Sequence, residues 1–180
     1  MMRIKKTIFI CLMAVATLLA SSTPLEAMSK IANSDFILAD LHAHPNSYIR
    51  YGGQSTGRTF YMSKPSIAVQ KYEPPTYIIA VQAYYHYTNG PKTGVEFIYD
   101  TELLRFKYDY DTRSMYVENK DRNGAKHWEY MDPKRIHDNE YYHRMGAKLV
   151  AGEMCFYLAY NMSFYDKPAS GKLREALGME

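Results

Sequence analysis

The stretch Asp40-Leu41-His42-Ala43-His44-Pro45 carries the side chains best suited to chemistry in this chain. It follows Phe36-Ile37-Leu38-Ala39, a short apolar run that reads as a strand. On a strand, alternate side chains share a face, so His42 and His44 would point the same way. Two imidazoles with Asp40 beside them are a donor set for one metal ion, and a metal held there would activate water for hydrolysis. The other histidines, His86, His127, His137 and His143, lie in no comparable motif.

The sequence holds no Walker loop, Gly-x-Gly-x-x-Gly or His-Glu-x-x-His. Tyr51-Gly52-Gly53-Gln54-Ser55-Thr56-Gly57 is glycine-rich but lacks the lysine and helix that complete a phosphate cradle, so it reads as a flexible loop. Cys155 sits in the apolar run Met154-Cys155-Phe156-Tyr157-Leu158, where a free cysteine behaves as a small buried hydrophobe. No cofactor is expected.

A second group of residues suits binding rather than catalysis. Arg105, Lys107 and Asp109 alternate with Leu104, Phe106, Tyr108 and Tyr110, the period of a strand with one wet and one dry face. Asp111-Thr112 turns the chain into Arg113 to Asn119, which alternates again through Met115 and Val117, so the pair reads as a hairpin. A third strand, Lys126 to Met131, follows the turn at Asn123-Gly124. Arg105, Lys107, Tyr116 and Trp128, with Arg113, Glu118 and Tyr130 nearby, are thus expected on an outward face of mixed charge and aromatic rings. Such a face suits protein recognition, because no carboxylate pair or nucleophile–base couple is placed there.

The elements that must position these residues can be read upstream and downstream. Thr76 to Thr88 is a long strand candidate, apolar on both faces in its first half and therefore central, bounded by Pro74-Pro75 and Asn89-Gly90-Pro91. Arg58 to Met62, Ser66 to Tyr72 and Val95 to Tyr99 read as shorter strands. From Asn139 to Met162 the residues Tyr142, Met145, Leu149, Gly152, Phe156 and Ala159 recur at three and four, one stripe of a helix capped by Asp138. Gly152 in that stripe would let the helix lie close on a sheet. The expected fold is α+β: an antiparallel meander of about five to seven strands packed against a C-terminal amphipathic helix.

Compartment is read from the N-terminus. Arg3, Lys5 and Lys6 precede an apolar run from Thr7 to Ala20 and a small, polar stretch ending at Ala27, the three-part pattern of a cleavable secretory signal. Cleavage after Ala27 or after Ser22 fits that pattern. Removing residues 1–27 takes three of the 22 basic and one of the 19 acidic side chains, leaving 19 against 18. Near-neutrality gives no field for nucleic acid, and no second apolar run offers a transmembrane segment. The division expected is a signal at 1–27, an N-terminal segment at 28–57 with one short strand and the glycine-rich loop, a sheet-plus-helix domain at 58–162 and a tail at 163–180. All 18 tyrosines fall after the signal, as suits half-buried sheet faces. Cys155 is then the sole cysteine, which excludes an intramolecular disulfide.

Two resemblances bear on function. Thr59-Phe60-Tyr61-Met62-Ser63-Lys64-Pro65-Ser66-Ile67-Ala68-Val69, the strand from Tyr77, and Arg105-Phe106-Lys107-Tyr108-Asp109-Tyr110-Asp111 resemble small exported bacterial domains related to surface-adhesin protein E. That resemblance spans about residues 58–162 and departs from the pattern at Ser63, where an aspartate is usual. It implies a sheet-based, non-enzymatic surface or periplasmic module. The Asp40-x-His42-x-His44 motif instead resembles the first strand of amidohydrolase-type and polymerase-and-histidinol-phosphatase-type metal hydrolases. Those are barrels of roughly 200 or more residues with further ligands on later strands. The expectation is therefore an exported binding or adhesin-like domain for an extracellular or envelope protein. A small metal hydrolase and a purely structural envelope protein stand as the alternatives.

Overall fold

A computed structural model describes residues 34–89 and 94–166 of the chain. The proposed signal at 1–27 and the last residues, 167–180, lie outside the described residues. Alternating apolar residues build a sheet of seven strands: β1 (Tyr48–Gln54), β2 (Arg58–Ser63), β3 (Ala68–Glu73), β4 (Thr76–Thr88), β5 (Glu96–Asp109), β6 (Ser114–Lys120) and β7 (Lys126–Met131). All pairings are antiparallel, in the order β1-β2-β4-β5-β6-β7. The meander and its covering helix are as the sequence pattern implies.

β2 and β3 lie end to end on the same edge of β4, β2 against Ala83–Tyr87 and β3 against Thr76–Ala80. The 3₁₀ turn Lys64–Ser66 interrupts them, and Ser66 Oγ accepts the Gln82 N–H at 2.8 Å in place of the missing ladder bond. A polar side chain thus keeps the central strand's backbone satisfied across the break.

Val95–Tyr99 and the strand at Arg105 prove to be one strand, β5, not two. Asp100, Thr101 and Glu102 look like a break in the sequence, yet Glu102 is held in place by Lys148 at 3.0 Å and by Tyr85. A tertiary partner thus offsets the cost of a half-buried carboxylate. The glycine-rich run is likewise not a free loop, since Tyr51–Gln54 belongs to β1. Gly52 is required there, because a Cβ would stand 2.9 Å from the Phe60 ring and 3.0 Å from Ala147.

Residues 34–43 form a helix, α1, where Phe36–Ala39 reads as a strand. Four consecutive apolar residues do not distinguish the two periods. Ile37, Leu38 and Leu41 lie at helical spacing and turn inward, and Leu41 is buried. The helix α2 consists of one α-helical turn (Asn139–Tyr141), a π-helical turn (Tyr142–Gly146) and the α-helix Ala147–Tyr160. The Asp138 carboxylate accepts the Tyr141 N–H at 3.2 Å at its start, and Asn161, at φ 53°, ends it. The extra residue of the π turn shifts the phase of the apolar stripe, so Tyr141 is buried and Tyr142 is exposed, the reverse of simple 3.6-residue spacing.

The core lies between α2 and one face of the sheet, with Met62, Ile79, Val81, Leu104, Phe106, Tyr108, Met115 and Val117 facing Leu149, Cys155 and Phe156. Phe156 stands in ring contact with Tyr77, Tyr108, Tyr110 and Phe164. Phe164 and Tyr165 fold into this cluster, so the chain after 163 begins as core rather than as tail.

Candidate functional site

The face of β5–β7 turned away from α2 carries the residues singled out for binding. The register sets Lys107 opposite Tyr116, Tyr116 opposite Tyr130, and Glu118 opposite Trp128. The Lys107 ammonium lies 4.3 Å from the Tyr116 ring centre and 5.5 Å from that of Trp128. The Arg105 guanidinium lies 5.7 Å from the Trp128 ring centre. Tyr116 and Tyr130 rings meet at 5.5 Å, and Tyr130 is 47% exposed. Desolvation pushes the Tyr130 hydroxyl above its ordinary pKa, so it is a neutral donor at physiological pH.

Arg105 and Lys107 are held differently on this face. Arg105 is ion-paired with Glu118 and donates from Nε to Gln70 at 2.8 Å, while Lys126 reaches the other Glu118 oxygen at 3.0 Å. Lys107 takes part in no ion pair among the described residues and faces only aromatic rings. A cation over a ring keeps charge to offer, since the pairing is worth about 0.5–1 kcal/mol at an exposed site. Arg105, Lys107, Tyr116 and Trp128 are therefore brought together by the fold.

Arg113 departs from that expectation. It adopts φ 52° in the β5–β6 turn, stacks on Tyr110 at 3.7 Å and donates to the Phe164 carbonyl at 2.7 Å, so it serves the α2 side. Asp109 spends one carboxylate oxygen on the Thr112 N–H at 3.1 Å, which closes the same turn.

The motif at 40–44 is arranged differently from the strand expectation. His42 lies in the last turn of α1 and His44 just past its end, at φ −130° and ψ 56°, so the strand alternation that would give them a shared direction is absent. His44 Nδ1 pairs with Asp40 at 2.9 Å, and Tyr48 donates to the second Asp40 oxygen. Those hydrogen bonds, from Tyr48 first and then His44, hold the Asp40 carboxyl below its ordinary value. His42 turns instead to Glu96, at 3.1 Å, which also bonds the buried His86 at 2.7 Å. Among the described residues, no group of three or more His, Cys, Asp or Glu side chains is placed to hold a metal ion. Asp40 thus links α1 to β1 through Tyr48 and His42 links it to β5 through Glu96, while His44 bonds only Asp40.

Cys155 is buried, and burial pushes its thiol well above the ordinary range, so it offers no nucleophile. No described helix is long and apolar enough to cross a membrane.

Two features had no local signal in the sequence. His86 and Glu96 come together across the β4–β5 loop, with His86 Nδ1 buried and without a hydrogen-bond partner among the described residues. The pairing of β5 with β6 stops at Phe106↔Val117, although both strands continue. Beyond that point lies a cleft of about 360 Å³ lined by Thr101, Glu102, Leu103, Arg105, Glu118, Asn119, Lys120 and Lys126. Comparison with protein-family models, with curated proteins and with solved structures finds no match.

Proposed function

We propose that the chain is an exported, non-enzymatic domain that binds an extracellular or envelope protein through the open face of β5–β7. The observation that supports this reading is Lys107, an ammonium held over Tyr116 and Trp128 with no carboxylate among the described residues paired to it. Rigid aromatic rings around an available cation are the composition of a protein-recognition hot spot, and they give up little side-chain entropy on binding. The charged side chains around them fix orientation, since an ion pair such as Arg105 with Glu118 contributes direction more than affinity. The basic start, apolar run and small-residue end of residues 1–27 support export.

The test is capture from envelope and extracellular-matrix extracts by the wild-type protein and by a variant with Lys107→Ala, Tyr116→Ala and Trp128→Ala together. A discrete protein captured by the wild type and lost with the variant, while circular dichroism is unchanged, is the expected result. Capture indifferent to the three substitutions removes this face from the account. N-terminal sequencing of protein recovered from the envelope or medium should begin after Ala27 or Ser22, and an intact Met1 in a cytoplasmic pool would refute export.

A further inference from the structure

The cleft where β5 and β6 part exposes backbone that a sheet ordinarily pairs. Across β4–β5 the pairing runs the length of both strands, from Thr76↔Asp109 to Thr88↔Glu96, with one bulge at Tyr99 that lies outside the segment 101–105. On the other side β5 is paired only from Phe106 to Asp109, so its outer edge before Phe106 faces no strand among the described residues. The Thr101 N–H identifies which groups lie on that edge. It bonds the Asp100 carboxylate at 2.8 Å instead of joining the β4 ladder, so the Thr101 backbone points outward. Antiparallel alternation sends every second residue the same way, which puts the backbone of Leu103 and Arg105 on the outer edge too. The Glu102 carbonyl accepts from Gln82 of β4, in keeping with that alternation.

An unpaired edge is a template for another strand, and folded proteins cover or blunt it. Further along the same strand that is what happens, for the Ile98 carbonyl accepts the Ser34 hydroxyl of α1 at 2.9 Å. At 101–105 nothing equivalent is present among the described residues, and Leu103 is 56% exposed. The cleft beside it carries a surplus of positive charge. Arg105, Lys120 and Lys126 line it with Glu102 and Glu118, and Lys148 of α2 bonds both Glu102, at 3.0 Å, and Asn119, at 3.3 Å. Glu118 is shared by Arg105 and Lys126, and Glu102 is paired with Lys148, so Lys120 is left in no ion pair among the described residues.

We infer that this edge and cleft form a docking site for an extended, acidic segment of another protein, which adds to β5 as a strand and sets its carboxylates toward Lys120 and Lys126. The inference rests on the reading of the domain as a protein-binding module and names the class of partner. Backbone hydrogen bonds to Leu103 and Arg105 supply affinity, and the cationic rim supplies choice. A five-residue edge buries far less than the roughly 1,000 Å² that a stable dimer requires, which favours a peptide segment over a second copy.

The test uses protein purified after expression of the full chain and three fluorescent, acetylated and amidated octapeptides alternating valine with glutamate, glutamine or lysine. Fluorescence anisotropy should show the glutamate peptide binding at least about tenfold more tightly than the lysine peptide. Leu103→Pro removes an outward N–H and no β4 ladder bond, so it should weaken the glutamate peptide about tenfold or more, whereas Leu103→Ala should stay within about threefold. Should Leu103→Pro fail to fold, Lys120→Glu with Lys126→Glu decides the matter and should reverse the preference toward the lysine peptide. Undiminished binding in a folded Leu103→Pro protein, equal affinity for the acidic and basic peptides, or a concentration-dependent dimer abolished by Leu103→Pro would each overturn the proposal. Extract capture lost on replacing Lys107, Tyr116 and Trp128, with no peptide binding, would discard the edge and keep the open face. Peptide binding lost in Leu103→Pro, with extract capture indifferent to those three residues, would do the reverse.

Discussion

Gly152→Ala sets helix propensity against sheet contact. Gly152 lies within α2, where alanine should be favoured by about 1 kcal/mol. The Cβ that alanine adds would stand 2.6 Å from the Met115 sulfur, 3.1 Å from its methyl and 3.1 Å from Phe106 Cδ1. Met115 is flexible, but both it and Phe106 are fully buried, so neither has free space to enter. Overpacking of this kind costs about 1–3 kcal/mol. The helix cannot simply lift away, because the Tyr108 hydroxyl donates to the Gly152 carbonyl at 2.8 Å, a bond worth about 1 kcal/mol. The balance is a net loss of about 1–2 kcal/mol, or a fall in Tm of roughly 2–8 °C for a chain of this size. Urea denaturation followed by circular dichroism and by Trp128 fluorescence measures it. In a Met115→Ala background the closest contact is gone, and Gly152→Ala should become neutral or stabilising by up to about 1 kcal/mol. Stabilisation in the wild-type background, or no coupling between the two sites, would refute the reasoning.

Other outcomes follow from the same structure. Asp138→Ala should fray the start of α2 and lower Tm at neutral pH, because the carboxylate accepts the Tyr141 N–H and pairs with Arg135. The Asp138 pKa is depressed, chiefly by the Arg135 hydrogen bond, so its contribution is fully present above the unfolded carboxyl value and is lost as pH falls below about 4. The wild-type and Asp138→Ala melting curves should therefore converge in acid, and a difference that persists unchanged at pH 2 would contradict this. Cys155 should react with an aromatic disulfide reagent only at the rate of unfolding, and reaction within seconds in native buffer would show the thiol to be accessible. Asp121→Ala should loosen the β6–β7 turn by about 1 kcal/mol, because Asp121 Oδ1 accepts the N–H groups of both Asn123 and Ala125 at 2.8 Å; an unchanged urea midpoint would exclude it.

Much of the architecture was legible because it rests on short-range chemistry. The alternation through Arg105–Tyr110, the turn residues Asp121 to Gly124, and the three-and-four spacing from Met145 to Phe156 each specify an element from neighbouring side chains alone. With strands read in sequence order and short turns between them, a meander follows, and the outward parity of Arg105, Lys107, Tyr116 and Trp128 follows from the pleat. Gly152 could be placed at the helix–sheet contact because only a missing Cβ explains a glycine in an apolar stripe.

Where period and partner were ambiguous, only the tertiary structure decided. Phe36–Ala39 is compatible with strand or helix, and burial of Leu41 together with the Ser34 and His42 contacts to β5 settles it as helix, which separates His42 from His44. The polar run Asp100–Glu102 stays in β5 because Lys148, 46 residues away, meets Glu102. The π turn that exchanges Tyr141 for Tyr142 leaves no mark in residue type. The parting of β5 from β6 is a property of two strands together: each alone is a sound strand, and where a ladder stops depends on sheet twist and on what α2 inserts between them, neither of which is encoded in any local window.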